Sequence, residues 1–361
     1  LIFIVSCGGK NAEGTQKSGD IIKIAVNLQS EPKSLDPQLA SDASGITIDS
    51  LIYEGLTRLD QKGKVVPAAA ESWEISEDGL KWVFHLRKDI KWANGDPVTA
   101  KDFAFGWLRA LDPQTASEYA YELYYIKGAK EYNEGKGKRE DVAIKTPDDN
   151  TLEIELNQPT PYLLSLFSFP TYYPVNEKFY NEAGKDFSLS ADKIMGNGPY
   201  AVKKWTPETS ILLAKNENYW NKDNIHLDEL EIKMISDQLA ALNAFKNGEL
   251  DITELSGEQL IEYRDDKRLY SYNKGSIKFL KFNVKNKLLA NQKIREAVSM
   301  AIDRDEMTEN VSKGSFMPAY GFVPEGYGGS AGGDFRKENG DIYEKYNPEK
   351  EITVDKKILG E

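Results

Sequence analysis

One cysteine, Cys7, and two histidines, His85 and His226, are all that 361 residues offer in thiol and imidazole. A single thiol closes no intramolecular disulfide, and two imidazoles without a second thiol assemble no zinc site, so neither a structural disulfide nor a metal is expected. Positive charge is also short, with 46 Lys and Arg against 58 Asp and Glu for a net charge of −12. An acidic chain without a basic cluster does not neutralise phosphates, which excludes nucleic acid as a partner. Long apolar runs are missing: nothing after the first residues approaches the roughly 18 needed to span a bilayer, and the best candidate, PYLLSLFSFP, is bracketed by prolines. Catalytic groupings are missing as well. Gly196 and Gly198 in MGNGPY are followed by no GK[ST] and open no helix, which rules out a phosphate loop. His85 sits in an alternating strand beside Arg87, and the serine of SLDP has no base beside it. No nucleophile is activated, no catalytic residue stands out, and no cofactor is implied.

What is present fits a folded, water-soluble body: 40% hydrophobic, 29% charged and 11% aromatic residues. The length exceeds what one hydrophobic core usually serves and points to two or more lobes. Cys7 follows LIFIVS, an apolar run ending in a small residue, and precedes the polar, glycine-bearing GGKNAEGTQKSGD. The stretch resembles the lipobox of bacterial lipoprotein precursors. That resemblance implies that Leu1–Ser6 is the tail of a signal peptide, that Cys7 carries the lipid, and that residues 8–20 are a tether. A buried free cysteine at a frayed terminus is the alternative.

Along the chain, IIKIAVN reads as a strand broken by SEPKSLDP. ITIDSLIYEGL sets Ile48, Leu51, Ile52 and Leu56 at helical spacing. A hairpin turns at Asp78-Gly79, with Trp82, Phe84 and Leu86 on one face. Thr99 and Asp102 form a capping-box pattern before a helix with the stripe Phe103, Trp107, Leu108 and Leu111. Leu152, Ile154 and Leu156 alternate with the solvated Glu153 and Glu155, and two further strands run from Tyr200 to Lys204 and from Ile211 to Lys215. Residues 230–253 predict a strand, a helix from Ser236 or Asp237 bearing Leu239, Leu242 and Phe245, a stop at Asn247-Gly248, and a strand Leu250–Thr253. Such a unit packs as parallel strands with a right-handed crossover. IKFLKFNVK alternates again, and Ile294, Val298, Ala301 and Ile302 share a helical face.

Eight segments in order carry a family resemblance: SEPKSLDP, YEGL, GLKWVFHLRKDIKWANGDPVTAKDFAFGWLRALDP, TASEYA, GNGPYAVKKW, KNENYW, KNGELD and REAVSMAIDRDEM. Together they resemble the bacterial extracellular oligopeptide-binding proteins of peptide ABC importers, solute-binding protein family 5. The resemblance runs from about residue 22 to about 327. It implies a mixed α/β, two-lobed clamshell with a hairpin-rich subdomain inserted in the first lobe. The expected layout is lobe I over 21–56, the insertion over 57–162, lobe I again over 163–275, and an incomplete lobe II over 276–361. It also implies capture without chemistry: an oligopeptide lies between the lobes, paired through its main chain, and a monomeric, lipid-anchored receptor delivers it to an importer permease. Carried over by position, the ligand-facing residues are Ser30, Glu31 and Pro32, then Tyr119, then Glu254, Leu255 and Ser256, then Asn283 and Tyr320. Leu255 departs from the polar or aromatic residues found there. The acidic residue that meets the peptide amino terminus has no counterpart in this chain. The same scaffold taking a dipeptide, metal chelate, haem or sugar stays open. A peptide hydrolase lacks its nucleophile, and an adhesin or sensor is the remaining reading.

Overall fold

The computed structural model describes residues 2–5, as backbone only, and 21–347. Cys7, the tether and the ending EITVDKKILGE lie outside the described residues. The strands are β1 (Ile2–Val5), β2 (Lys23–Asn27), β3 (Thr57–Leu59), β4 (Val65–Pro67), β5 (Ala70–Ile75), β6 (Lys81–Leu86), β7 (Ile144–Asp148), β8 (Thr151–Glu155), β9 (Tyr200–Thr206), β10 (Ser210–Lys215), β11 (Glu229–Lys233), β12 (Ile252–Glu254) and β13 (Leu269–Ser271). The chain divides into two compact units, residues 11–241 and residues 1–10 with 242–361.

In the first unit, β2 pairs in parallel with β11, β11 pairs antiparallel with β10, and β10 pairs antiparallel with β9. A separate antiparallel sheet runs β5-β6-β8-β7. The expected hairpin is present, with Gly79 at φ 71° in its turn and Trp82, Phe84 and Leu86 buried. Leu152, Ile154 and Leu156 are buried on the neighbouring strand, and Glu155 faces out to Lys127 at 2.8 Å. His85 is exposed and meets Glu74 across the hairpin at 3.1 Å. Helix Ala100–Leu111 begins where the Asp102 carboxylate accepts from the Thr99 N–H at 2.7 Å and hydroxyl at 3.0 Å. One core joins these pieces: Trp107 stacks on Phe167 at 5.4 Å between ring centres, and Phe84 meets Phe167 edge-on at 5.0 Å. Helix Ala43–Ile52 ends before Leu56, which is nonetheless fully buried.

In the second unit, β1 lies between β12 and β13, antiparallel to both. The run read as the tail of a signal peptide is therefore a strand here, the conformation that the β-branched residues of IFIV favour. Helix Gln238–Lys246, whose first four residues belong to the first unit, follows β11, and Gly248 at φ 77° comes two residues after it, as the sequence predicts. Of its expected stripe, Leu242 and Phe245 are buried, but Leu239 is 61% exposed. The alternating IKFLKFNVK forms no strand: residues 277–285 have no ladder partner among the described residues, and Phe279, Leu280 and Val284 are exposed. Helix Gln292–Met300 forms, but Ala301 and Ile302 lie beyond its end and none of the expected face Ile294, Val298, Ala301 and Ile302 is buried; the helix buries Ala297 instead.

Candidate functional site

The motifs that specify this fold converge within the first unit. Glu54 of YEGL is buried, and its carboxylate accepts from the Tyr219 hydroxyl at 2.5 Å and the Trp220 indole at 2.6 Å, both from KNENYW. Its backbone N–H donates to Asn197 Oδ1, and Asn197 Nδ2 returns to the Glu54 carbonyl, each at 2.9 Å. Burial raises the Glu54 pKa, and the two donors oppose the rise. A Cβ at Gly196 would stand 1.8 Å from the Ile52 carbonyl oxygen, so this glycine serves close backbone approach. Asp36 of SLDP is held bidentately by Arg109 at 2.8 and 2.5 Å, and Arg109 also donates to Gln38 Oε1 at 2.9 Å. The sequence reading did not single out Arg109, Gln38, Asn197 or Glu54; YEGL and SLDP are the signals that lead to them.

That scaffold presents Ser30, Glu31 and Pro32. The β2 ladder ends at Asn27, the Leu28 N–H still donates to the Lys233 carbonyl at 2.7 Å, and the chain then leaves the sheet. The Asp42 carboxylate caps helix Ala43–Ile52 through the Gly45 N–H and also takes the Lys33 N–H, each at 3.0 Å. The Ser30 hydroxyl is 2.8 Å from that of Ser44. Glu31 uses one oxygen on the Trp205 indole and the other on the Glu208 N–H, both at 2.8 Å. Pro32 is buried. With their side chains tied inward, Ser30 and Glu31 keep main-chain N–H and C=O groups that no backbone hydrogen bond uses among the described residues.

Tyr119 comes from the residues read as the insertion and is brought near the same loop. The Ser117 hydroxyl donates to the Gln38 carbonyl at 2.5 Å and the Ser41 hydroxyl to the Glu118 carboxylate at 3.1 Å. Its half-buried ring meets Phe169 edge-on at 5.0 Å.

In the second unit, Glu254 ends β12 and lies 4.0 Å from the Lys274 ammonium. Leu255 is 3% exposed, so its side chain is core. Ser256 precedes helix Gly257–Glu262 as its cap residue. Asn283 is exposed and takes the Lys285 N–H at 3.1 Å in a turn. Tyr320 is buried, and its hydroxyl donates to Asp305 at 2.6 Å; burial and that bond push its pKa up to about 12. Among the described residues there is no group of three or more His, Cys, Asp or Glu placed to hold a metal.

The profile of the bacterial extracellular solute-binding proteins, family 5 middle region, matches residues 64–352. The chain is 40% identical over 336 residues to the oligopeptide-binding protein OppA of Bacillus subtilis, covering 90% of this chain and 62% of that one. It is 37% identical to the dipeptide-binding protein DppE of the same organism, over 94% of this chain and 63% of that one. The chain thus spans a little under two thirds of the length of these relatives. Among solved structures, Listeria monocytogenes OppA bound to peptide matches with TM-score 0.83 at 35% identity, over 94% of this chain and 68% of that one. The pheromone receptor PrgZ, solved to show its mode of peptide binding, matches with TM-score 0.86 at 30% identity, over 94% and 68%. The mixed α/β fold expected from the sequence is the fold of these two-lobed binding proteins. With its profile over most of the chain and identity well above chance, this protein belongs to family 5 of the bacterial extracellular solute-binding proteins.

Proposed function

We propose that this protein is an oligopeptide receptor that grips the main chain of an extended peptide and hands it to an ABC importer. The observation that carries the reading is the main chain at Ser30 and Glu31, which no backbone hydrogen bond uses among the described residues while Ser44, Trp205 and Glu208 hold the two side chains. An extended peptide adds to such a segment as a strand adds to a sheet edge, and every peptide supplies the same donors and acceptors. Pre-set geometry lowers the ordering cost of binding, which is the role this assigns to the Glu31 carboxylate. On this reading Tyr119 contributes an aromatic wall, and Glu254, Leu255, Ser256, Asn283 and Tyr320 are further ligand-facing positions. The protein acts as a monomer without catalysis, and a lipid on Cys7 keeps it at the outer face of the membrane beside its permease. The names of its relatives, an oligopeptide-binding and a dipeptide-binding protein, agree with peptide as the ligand class. Calorimetry with isomeric peptides of shuffled sequence tests the reading. Their Kd values are expected to agree within about tenfold, and N-methylation of alternate peptide bonds is expected to abolish binding on one register only. Equal loss from every N-methyl position, or strong dependence on side-chain order, overturns main-chain recognition.

A further inference from the structure

A cavity of about 370 Å³ opens beside the short 3₁₀ helix Ala120–Tyr125, lined by Tyr121, Tyr124, Tyr125, Asn157 and Gln158. None of these residues belongs to the peptide site proposed above. Three of the five lining residues are tyrosines supplied by this one helix. Neighbouring rings stand at several angles: Tyr125 meets Tyr162 at 85° with centres 5.7 Å apart, and Tyr119 meets Tyr121 at 46° and 5.9 Å. Tyr121 and Tyr162 are each 52% exposed.

Asn157 offers the cavity an acceptor, while Gln158 and the Tyr125 hydroxyl, which accepts from Tyr162 at 3.2 Å, can also donate. Asn157 Nδ2 donates to the Tyr124 carbonyl at 2.9 Å and to the Ile126 carbonyl at 3.4 Å, which leaves its Oδ1 with lone pairs and no proton to offer. The Gln158 side chain is exposed, and the Tyr124 hydroxyl is already given to Asn133 at 2.6 Å. No Lys or Arg lines the cavity. Lys127, just past the helix, is neutralised by Glu155 at 2.8 Å. Burial first, and then the Glu122 carboxylate, raises the Tyr121 hydroxyl.

We propose that this cavity binds an organic cation, an alkylammonium or guanidinium group such as a polyamine or a lysine or arginine side chain carries. The faces of several tyrosines attract a cation through their quadrupoles, the Glu122 charge adds to that attraction, and Asn157 Oδ1 accepts an N–H from the guest. Because Gln158 and Tyr125 can donate to an uncharged guest, the neutral diol in the test separates cation binding from plain hydrogen bonding.

The test follows the tyrosine ring signals of ¹³C-labelled protein by NMR during titration with cadaverine, with N-acetyl-arginine methylamide, and with 1,5-pentanediol as the neutral counterpart. The two cations are expected to shift Tyr121 and Tyr124 saturably and the diol to leave them still. Tighter binding of cadaverine assigns a free polyamine, and tighter binding of the blocked arginine assigns a peptide side chain. Tyr121→Leu, at a half-exposed ring, is expected to weaken the cation about tenfold, and Glu122→Gln several-fold, with thermal unfolding unchanged in both. No saturable shift with either cation, an equal shift with the diol, or full affinity in Tyr121→Leu overturns the proposal.

Discussion

Asp49 is fully buried in helix Ala43–Ile52, and neither of its carboxylate oxygens has a hydrogen-bond partner among the described residues. Burial first, and then the charges of Asp36 and Asp42, hold its pKa well above the usual carboxylate range. The folded protein therefore keeps a proton that the unfolded chain gives up, and stability falls as pH rises from the ordinary carboxylate range towards the folded value. Asp49→Asn is expected to raise the Tm at pH 7 and to lose that advantage by about pH 3, where the unfolded Asp49 is also protonated. Thermal melts of the pair across this range check it, and a constant offset contradicts it. The Asp36–Arg109 pair is the opposite case, a buried carboxylate with its partner in place. Arg109→Met strands that charge and is expected to cost about 3–5 kcal/mol in urea unfolding. Glu31 stands nearer the solvent and holds a loop, so Glu31→Ala is expected to weaken peptide binding about tenfold by calorimetry while the Tm changes little.

At the scale of elements, the start of helix Ala100–Leu111 rests on the exchange between Thr99 and Asp102. Asp102 is mostly buried there, and burial raises its pKa to about 6 against the opposing hydrogen bonds. Thr99→Ala is expected to cost about 1 kcal/mol in chemical denaturation, the usual weight of a cap. Elements of this kind were readable from the residues because each satisfies its own pattern: period two buries Trp82, Phe84 and Leu86, and the cap marks its helix. Alternation alone misled at IKFLKFNVK, because a strand needs a neighbour as well as a period, and residues 277–285 have none among the described residues. Leu239 misled for a related reason, since a helical stripe predicts burial only as far as packed surface extends. In the proposed site, the motif SEPKSLDP points to the loop Ser30–Pro32. Its anchors were not, because Trp205 and Glu208 reach Glu31 from more than 170 residues away in sequence.

Across the whole molecule, burial is unequal. The first unit is centred on one large aromatic core, whereas from residue 276 onward only Ala297 and Tyr320 among the described apolar side chains are buried. Amide exchange is expected to be slowest in β6, β8 and β10 and fast across residues 277–288, and equal protection in both would contradict this difference in packing. Several of the segments that carry the family resemblance meet in the first unit through Asp36, Glu54, Arg109 and Asn197, and the proposed function assigns the main chain of Ser30 and Glu31 beside them to the ligand. Residue-resolved hydrogen exchange at the Ser30 and Glu31 amides, with and without a saturating oligopeptide, tests this most directly. The account predicts that at least one of the two slows strongly when peptide is bound. Unchanged exchange at both, under conditions where calorimetry shows the site full, would contradict it.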